Sequence, residues 1–568
     1  MIPWFWPDAA AVSRLFEHEV ACVPLDVEAL PAARVLWLNR QVAVRDPSFA
    51  RLGSDLARYE GHLLQQCAFQ RCSTDATARG LSRARAYADR YGGVGIGLNG
   101  GSGRAAFLNG YHVKGLGRTP LVSLHTDLSH ASGGAYLEES VRDVIFTEIV
   151  RAEFPYSAVP ILALIDTGEH RVFHFPDRTD VERRVLVVRP PFVRPAHYLR
   201  SSFVCEDPRD GARDARRVEW LFEATAALYG ADTLARAYEA LFKRWAHQLA
   251  YGYVHRLSHA SSTVSNVCMD GRLLDFGAMS ALPSWADAAV MMGRQPFAGH
   301  VRLLPRLIRS SAYFFGRHLD ASLGSPARVE ALCAAVEQEF RRAVVFETAR
   351  MLGLDRDRAG SVSHGAELAL WWRSLVQLVA HFERERIDMV ERTPSQRLAW
   401  DVASVWRPQP PEHLRTLHSL LEAAVPPDER EACAQRCHAI SRTRPALYRQ
   451  EAKAAIFEAL DRTSEGKTPD RQRIEAFIDQ WVATNRRDTA CELGQALPVG
   501  FAVSGGHSFV LCRDPGDGSL LAFDEYSGGS SAQPHRVAES TPTRVRFADG
   551  ARPDFTGAVS LHRQTEWA

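Results

Sequence analysis

His259-Ala260-Ser261-Ser262-Thr263-Val264-Ser265-Asn266 is followed, nine residues after its asparagine, by Asp275-Phe276-Gly277, with the apolar pair Leu273-Leu274 directly ahead. Each fragment alone is short enough to recur by chance, and the order of their surroundings makes them specific. Upstream lies a glycine-rich stretch, Tyr91-Gly92-Gly93-Val94-Gly95-Ile96-Gly97-Leu98-Asn99-Gly100-Gly101-Ser102-Gly103-Arg104. Such stretches can converge bare backbone N–H groups on phosphate with no Cβ in the way, although most are surface turns. Lys114 follows, and it stands out by composition. Lys and Arg total 68, yet only Lys114, Lys243, Lys453 and Lys467 are lysines. A compact ammonium differs from a planar guanidinium as a phosphate ligand, so a lysine between two glycine motifs points to that use. Glycine loop, lysine, helical region, His-x6-Asn and Asp-Phe-Gly occur in that order.

The local patterns place these motifs on elements. Ala105–Leu108 and Tyr111–Lys114 read as strands joined by a turn. Residues 135–153 carry helical spacing of Leu137, Val141, Val144, Ile145 and Ile149. Residues 159–165 and 185–188 are apolar strand candidates. From about 215 the chain reads as helical, at 215–229, 231–251, 298–316, 326–352, 363–386 and 444–462, interrupted by the motif-bearing loop 251–281. After 490 short strands take over at 501–503, 508–511 and 520–523, with a turn at Asp514-Pro515-Gly516-Asp517-Gly518. The expected units are an N-terminal extension over 1–84, a strand-rich lobe with the glycine loop and Lys114 over 85–205, a helical lobe over 206–489, and a β-rich unit over 490–568.

In this order the elements resemble the nucleotide site of protein kinases. There the loop asparagine and the Asp-Phe-Gly aspartate hold the phosphate-bound metal, and the lysine pairs with phosphates and with a carboxylate of the next helix. Asp143 is one candidate for that carboxylate, with Glu139 one turn before it; both would equally suit a solvated helix face. More closely, residues 30–285 resemble the SelO (YdiU-type) adenylyltransferases. Gly101-Ser102-Gly103-Arg104 matches that family's Gly-Asp-Gly-Arg, and His112-Val113-Lys114-Gly115-Leu116-Gly117-Arg118-Thr119-Pro120 matches its His-Leu-Lys-Gly-Ala-Gly-x-Thr-Pro. Val141-Arg142-Asp143 falls on its Ile-Arg-Glu, Glu148 on a nearby glutamate, and Ala33-Arg34-Val35-Leu36-Trp37-Leu38-Asn39 on an N-terminal family segment. Arg189 and Arg194 fall near two arginines that contact phosphate in the family.

The resemblance implies an α+β fold of the two-lobed, protein-kinase-like kind, with a largely helical large lobe. It implies ATP with Mg²⁺ or Mn²⁺, and AMP transfer to a protein or peptide acceptor. The nucleotide-binding positions it implies are Gly101, Gly103, Arg104, Lys114, Gly133, Arg189, Arg194 and Asp275. Asn266 and Asp275 would be the metal ligands, and Lys114, Asp143, Ser265 and His259 the catalytic positions.

The departures bear on chemistry. Ser265 stands where the family has the aspartate proposed as proton acceptor, and Ser261 where a kinase has its base. Ser132-Gly133-Gly134-Ala135 replaces a Gly-Asp-Gly-Arg-Ala, and the helix carboxylate is aspartate rather than glutamate. The family's C-terminal redox cysteine has no counterpart. A hydroxyl acceptor must lose a proton, whereas a carboxylate, with a reference pKa of about 4, arrives ionised. Three functions are therefore expected from this sequence: adenylyl transfer to a protein or peptide, activation of a peptide carboxylate in a tailoring pathway, or nucleotide binding without turnover. His255 and His259 are candidate substitute bases.

Elsewhere the signals are weaker. Of the 568 residues, 46% are hydrophobic and 24% charged, and the net charge of +1 advertises no nucleic-acid partner. No run of 18 apolar residues predicts a membrane span, and Met1–Asp8 does not read as a secretory signal. Ten cysteines without paired metal spacing fit free thiols in a reducing compartment, the cytoplasm by default. Cys433-x3-Cys437-His438 reads as thiols rather than zinc ligands, for want of a second pair. Cys491, His507 and Asp524 follow the order of a cysteine-protease triad, but 16 residues between cysteine and histidine is short for one. His125, His130 and His174 show no spacing that demands function. The oligomeric state is not legible.

Overall fold

The computed structural model describes residues 9–72, 81–93, 100–122, 131–174, 179–201, 208–290, 293–295, 302–384, 386–388, 400–441, 443–460 and 470–485, and strand segments between 497 and 561. It is a mixed α+β fold. Among the described residues nine strands form one antiparallel sheet: β1 (Val23–Ala29), β2 (Arg34–Leu38), β3 (Phe69–Arg71), β4 (Arg83–Arg90), β5 (Gly101–Leu108), β6 (Tyr111–Lys114), β7 (Ala135–Tyr136), β8 (Ala163–His174) and β9 (Thr179–Arg189). Their order is β2-β8-β9-β6-β5-β4-β1-β3, with β7 paired to β9. Three strands come from residues 23–71. The stretch before 84 is therefore part of the sheet, ahead of the boundary expected from sequence.

Alternation along β6 sets the two faces, because successive strand residues point to opposite sides. Val113 joins Ala106, Leu108, Ile165, Leu186 and Val188 in an apolar layer with Tyr59 and Leu63 of helix Leu56–Cys67. The opposite face sets Phe107, Leu164, Val185 and Val187 against Val141, Val144 and Ile145 of helix Leu137–Glu153. Each such aliphatic side chain contributes about 1.5–3 kcal/mol when fully buried. Helix Leu137–Glu153 carries Glu138 and Glu139 in its first turn, where the helix dipole favours anions. It stops at Phe154, which precedes Pro155. Its Glu138, Ser140, Arg142 and Asp143 are buried as well as its apolar residues. A helix that buries polar groups must pair them, which it does at the site described below.

The same core continues into the helices. Helices Pro208–Tyr229 and Ala231–Val254 are separated at Gly230, and the second packs along Pro326–Met351. The helix expected over 363–386 is two, Arg356–His364 and Leu368–Phe382, broken at Gly365. Helices Arg415–Ala424 and Arg471–Asn485 lie outside the ranges expected from the sequence, and helix Arg430–Ser441 carries Cys433 and Cys437. Helices Arg449–Leu460 and Arg471–Asn485 both touch helix Leu137–Glu153. Toward the C-terminus the described strands form a seven-stranded sheet, in which Leu497–Ser504, His507–Arg513 and Leu520–Asp524 cover the three expected strands. Among the described residues no helix is long and apolar enough to cross a membrane.

Candidate functional site

The loop between Arg256 and Ala281 is built to set Asn266 and Asp275 side by side. Its ends are tied by pairing of Leu257–Ser258 with Ser280–Ala281. Inside, Val267 bridges Leu273 antiparallel, Cys268 N–H donates to the Arg272 carbonyl at 2.8 Å, and a turn closes from Gly271 N–H to the Cys268 carbonyl at 2.9 Å. Leu274 N–H then donates to the Asn266 carbonyl at 3.1 Å, so this small hairpin sets Asn266 beside Asp275. The nine-residue spacing is the hairpin's length. Asn266 donates Nδ2 to the Ser261 carbonyl (2.8 Å) and Oγ (3.1 Å), which turns its Oδ1 away from that loop. Asp275 has a left-handed backbone (φ 64°), an unusual conformation for a non-glycine residue.

Register in the sheet supplies the opposing wall. Lys114 lies across from Ala105 of β5 and Val187 of β9, and His112 lies across from Arg189. Lys114, Arg104, Arg189, Arg194, Gly103 and Asp275 line one cleft that is open to one side. Tyr91, His112, Leu121, Val122 and Leu274 complete much of the lining. The glycine-rich stretch 94–99, His125, His130 and Cys491 lie outside the described residues.

The charges are organised in pairs. Lys114 Nζ lies 3.1 Å from Asp275 Oδ1, 3.6 Å from Glu139 Oε1 and 4.0 Å from Asp143 Oδ2. Arg104 forks onto Glu139 at 2.8 and 3.2 Å and also donates to the Gly134 carbonyl. Arg189 donates to Asp143 Oδ2 at 2.5 Å, while Asp143 Oδ1 accepts the N–H of Phe276 at 3.1 Å. Arg142 donates to the Gly277 carbonyl. Burial alone would raise the carboxyls of Glu139 and Asp275; the cations outweigh it and hold both well below the usual range, Arg104 and Lys114 acting on Glu139, and Lys114, Arg104 and Arg189 on Asp275.

Behind Arg194 stands Asp89, which sequence reasoning missed. This fully buried carboxylate accepts from Arg194 (2.7 Å), His112 Nε2 (3.1 Å) and His197 Nε2 (3.0 Å). Burial pulls both imidazoles down to about 4 in spite of Asp89, so each is neutral at pH 7 and donates its Nε2–H. Arg194 also donates to the Ser265 carbonyl (3.0 Å) and lies over the Tyr91 and Phe192 rings. Asp89 follows no motif; its three partners lie 23 to 108 residues away.

The remaining predicted residues lie beside or behind the wall. Ser265 Oγ is engaged with Thr263 Oγ1 at 2.8 Å. His259 is buried, with Nε2 3.0 Å from the Leu274 carbonyl and its ring against Phe276. It braces the hairpin, and burial lowers its pKa. Gly133 has φ 74°, and a Cβ there would come within 2.0 Å of Arg118 N, so the closure of 133 on 117–118 demands glycine. At Gly103 a Cβ would meet Val122 at 2.5 Å, and Gly101 packs as closely on Asp89 and Leu121. Their role in the described residues is backbone approach at the start of β5. Glu148 accepts from Asn39 at 2.8 Å, tying the end of β2 to helix Leu137–Glu153.

Outside this site, Cys433 and Cys437 are buried thiols whose pKa burial raises, Cys437 to about 12. His255 pairs with Glu347 at 3.2 Å, on the helical side. His174 sits at the exposed end of the β8–β9 hairpin. His507 lies opposite Ser504, and Asp524 opposite Phe509. Among the described residues no group of three or more His, Cys, Asp or Glu side chains is arranged around a metal position. No model of a known protein family matches the chain, and no curated protein matches it.

Proposed function

We propose that the cavity binds ATP with Mg²⁺ or Mn²⁺ and that the chain moves AMP to a protein or peptide acceptor, on a two-lobed, kinase-like frame of the SelO type. One observation carries this reading. Arg104, Lys114, Arg189 and Arg194 converge on one cavity whose lining includes a single carboxylate, Asp275.

A divalent ion would neutralise charge on the phosphates. Asp275 and Oδ1 of Asn266 would hold it; Mg²⁺ ordinarily takes only one or two carboxylates, with phosphate and water oxygens completing its shell. Lys114 and the three arginines orient the phosphates. The acceptor atom attacks the α-phosphorus and pyrophosphate leaves, so the protein's work is positioning and charge stabilisation.

A specific observation favours a carboxylate as that acceptor. Ser265 is engaged with Thr263, Ser261 with Asn266, and His259 with the Leu274 carbonyl. None of the three is set to take a proton, and an ionised carboxylate needs none taken. Incubation of the full chain with α- or γ-labelled ATP, Mg²⁺ or Mn²⁺ and cell extract tests the proposal. Label transferred from the α position alone supports it, and hydroxylamine-labile label identifies an acyl adenylate. Stabilisation by ATP without any turnover would make the chain a nucleotide-binding pseudoenzyme.

A further inference from the structure

The sequence offered Asp143 as one candidate for the carboxylate that pairs with Lys114, with Glu139 one turn before it. The geometry divides the work differently. We infer that Glu139 is the carboxylate that keeps Lys114 and Arg104 in place when metal and phosphate claim Asp275, and that Asp143 instead seats the Asp275-Phe276-Gly277 segment. The inference rests on the nucleotide reading of the cavity and names positioning residues within it.

Both oxygens of Asp143 are committed. Oδ2 takes Arg189 at 2.5 Å and Oδ1 takes the Phe276 N–H at 3.1 Å, leaving Lys114 at 4.0 Å. Together with Arg142, which donates to the Gly277 carbonyl, Asp143 grips the backbone on the C-terminal side of Asp275. That residue has the left-handed φ of 64°, a conformation that persists only when its surroundings fix it. Glu139 lies one helical turn earlier and is one methylene longer. It receives the Arg104 fork through both oxygens and stands 3.6 Å from Lys114. Lys114 is thus faced by Asp275 from the loop, Glu139 and Asp143 from the helix, and Arg104 from β5. Its closest contact, Asp275 at 3.1 Å, is the carboxylate a metal would take. Once Asp275 is occupied, Glu139 is the nearest carboxylate left to Lys114.

The test uses the full chain. Trace acylation with an amine-selective reagent and peptide mapping reads Lys114 against Lys243, Lys453 and Lys467 as internal references, without nucleotide and in an Asp275→Asn background that takes the loop carboxylate away from Lys114. Glu139→Gln should speed acylation of Lys114 roughly tenfold relative to those references, because a charge-assisted contact is lost. Glu139→Asp should fall between that variant and the parent, and Asp143→Asn should change Lys114 by less than Glu139→Gln. Calorimetry with ATP, with and without Mg²⁺, then separates the roles. Glu139→Gln should weaken binding in both conditions by roughly tenfold. Asp143→Asn should remove the gain from Mg²⁺ while preserving binding without it. The inference is overturned if Lys114 reactivity is unchanged in Glu139→Gln, or responds more to Asp143→Asn. Failure of the parent protein to bind ATP would sink the nucleotide reading instead, with the acylation result still deciding which carboxylate holds Lys114.

Discussion

The two faces of the nine-stranded sheet are made by the same strands and differ by one residue in phase. Val113 is buried among Leu186, Val188, Tyr59 and Leu63, where a close fit of apolar groups is all that is required. His112 and Lys114, its neighbours, are also buried, yet they stand among Asp89, Arg194, Glu139 and Asp275. Burial stabilises the first face directly. On the second, each charge is tolerable only because its partner is present. The first face should therefore respond to lost volume, and the second to lost partnership.

Asp89→Ala tests that contrast at its extreme. It leaves Arg194 buried without its carboxylate and two imidazoles without an acceptor, and should cost about 3–5 kcal/mol in denaturant unfolding. A loss under about 1 kcal/mol would show that the polar face does not depend on pairing. On the apolar face, Leu63→Ala should cost about 2–5 kcal/mol through the cavity it leaves, and it should not change any metal-dependent effect of ATP.

Acid should separate the faces next. His112 and His197 lie near 4 when folded and near 6.5 when unfolded. The unfolded chain therefore binds more protons between those values, and stability falls as pH drops through that window. Each histidine contributes up to about 1.4 kcal/mol per pH unit there. Unfolding midpoints from pH 7 to 4.5 should show this slope, and His197→Gln should flatten it; an unchanged slope would remove His197 from the cause.

The smallest effects on stability belong to the cavity wall, where the effect on ligand should be largest. Asp275→Ala removes the nearest carboxylate from buried Lys114, with Glu139 at 3.6 Å limiting the loss of stability, and should abolish metal-dependent thermal stabilisation by ATP. An undiminished shift would refute the assignment of Asp275. Lys114→Arg keeps the charge but replaces a compact ammonium with a larger fork in a crowded cluster, and should weaken ATP binding measurably by calorimetry. Near-normal affinity would make Lys114 incidental.

This division also explains what the sequence could tell. The proximity of Asn266 and Asp275 was legible because both residues and the turn between them lie within ten residues. The placement of Lys114 was legible because strands β5 and β6 are joined by a tight turn. Asp89 and His197 were not, since their pairing is made by sheet register and a distant segment, and neither belongs to a local pattern. Glu139 and Asp143 were both noticed, but their roles depend on which oxygen each guanidinium claims, and spacing along a helix does not encode that. The boundary placed at 84 missed β1–β3 because their neighbours in the sheet, β4 and β8, follow later in the chain.

The hairpin between Asn266 and Asp275 works as a ruler read in steps of two. Because paired strands alternate faces, two residues added in its turn would lengthen the tip and leave both ends where they are. One added residue on the arm that follows the turn would turn Asp275 away from the cavity. Length changes here should therefore be tolerated by parity rather than by size, which a short series of glycine insertions after Asp270 would reveal.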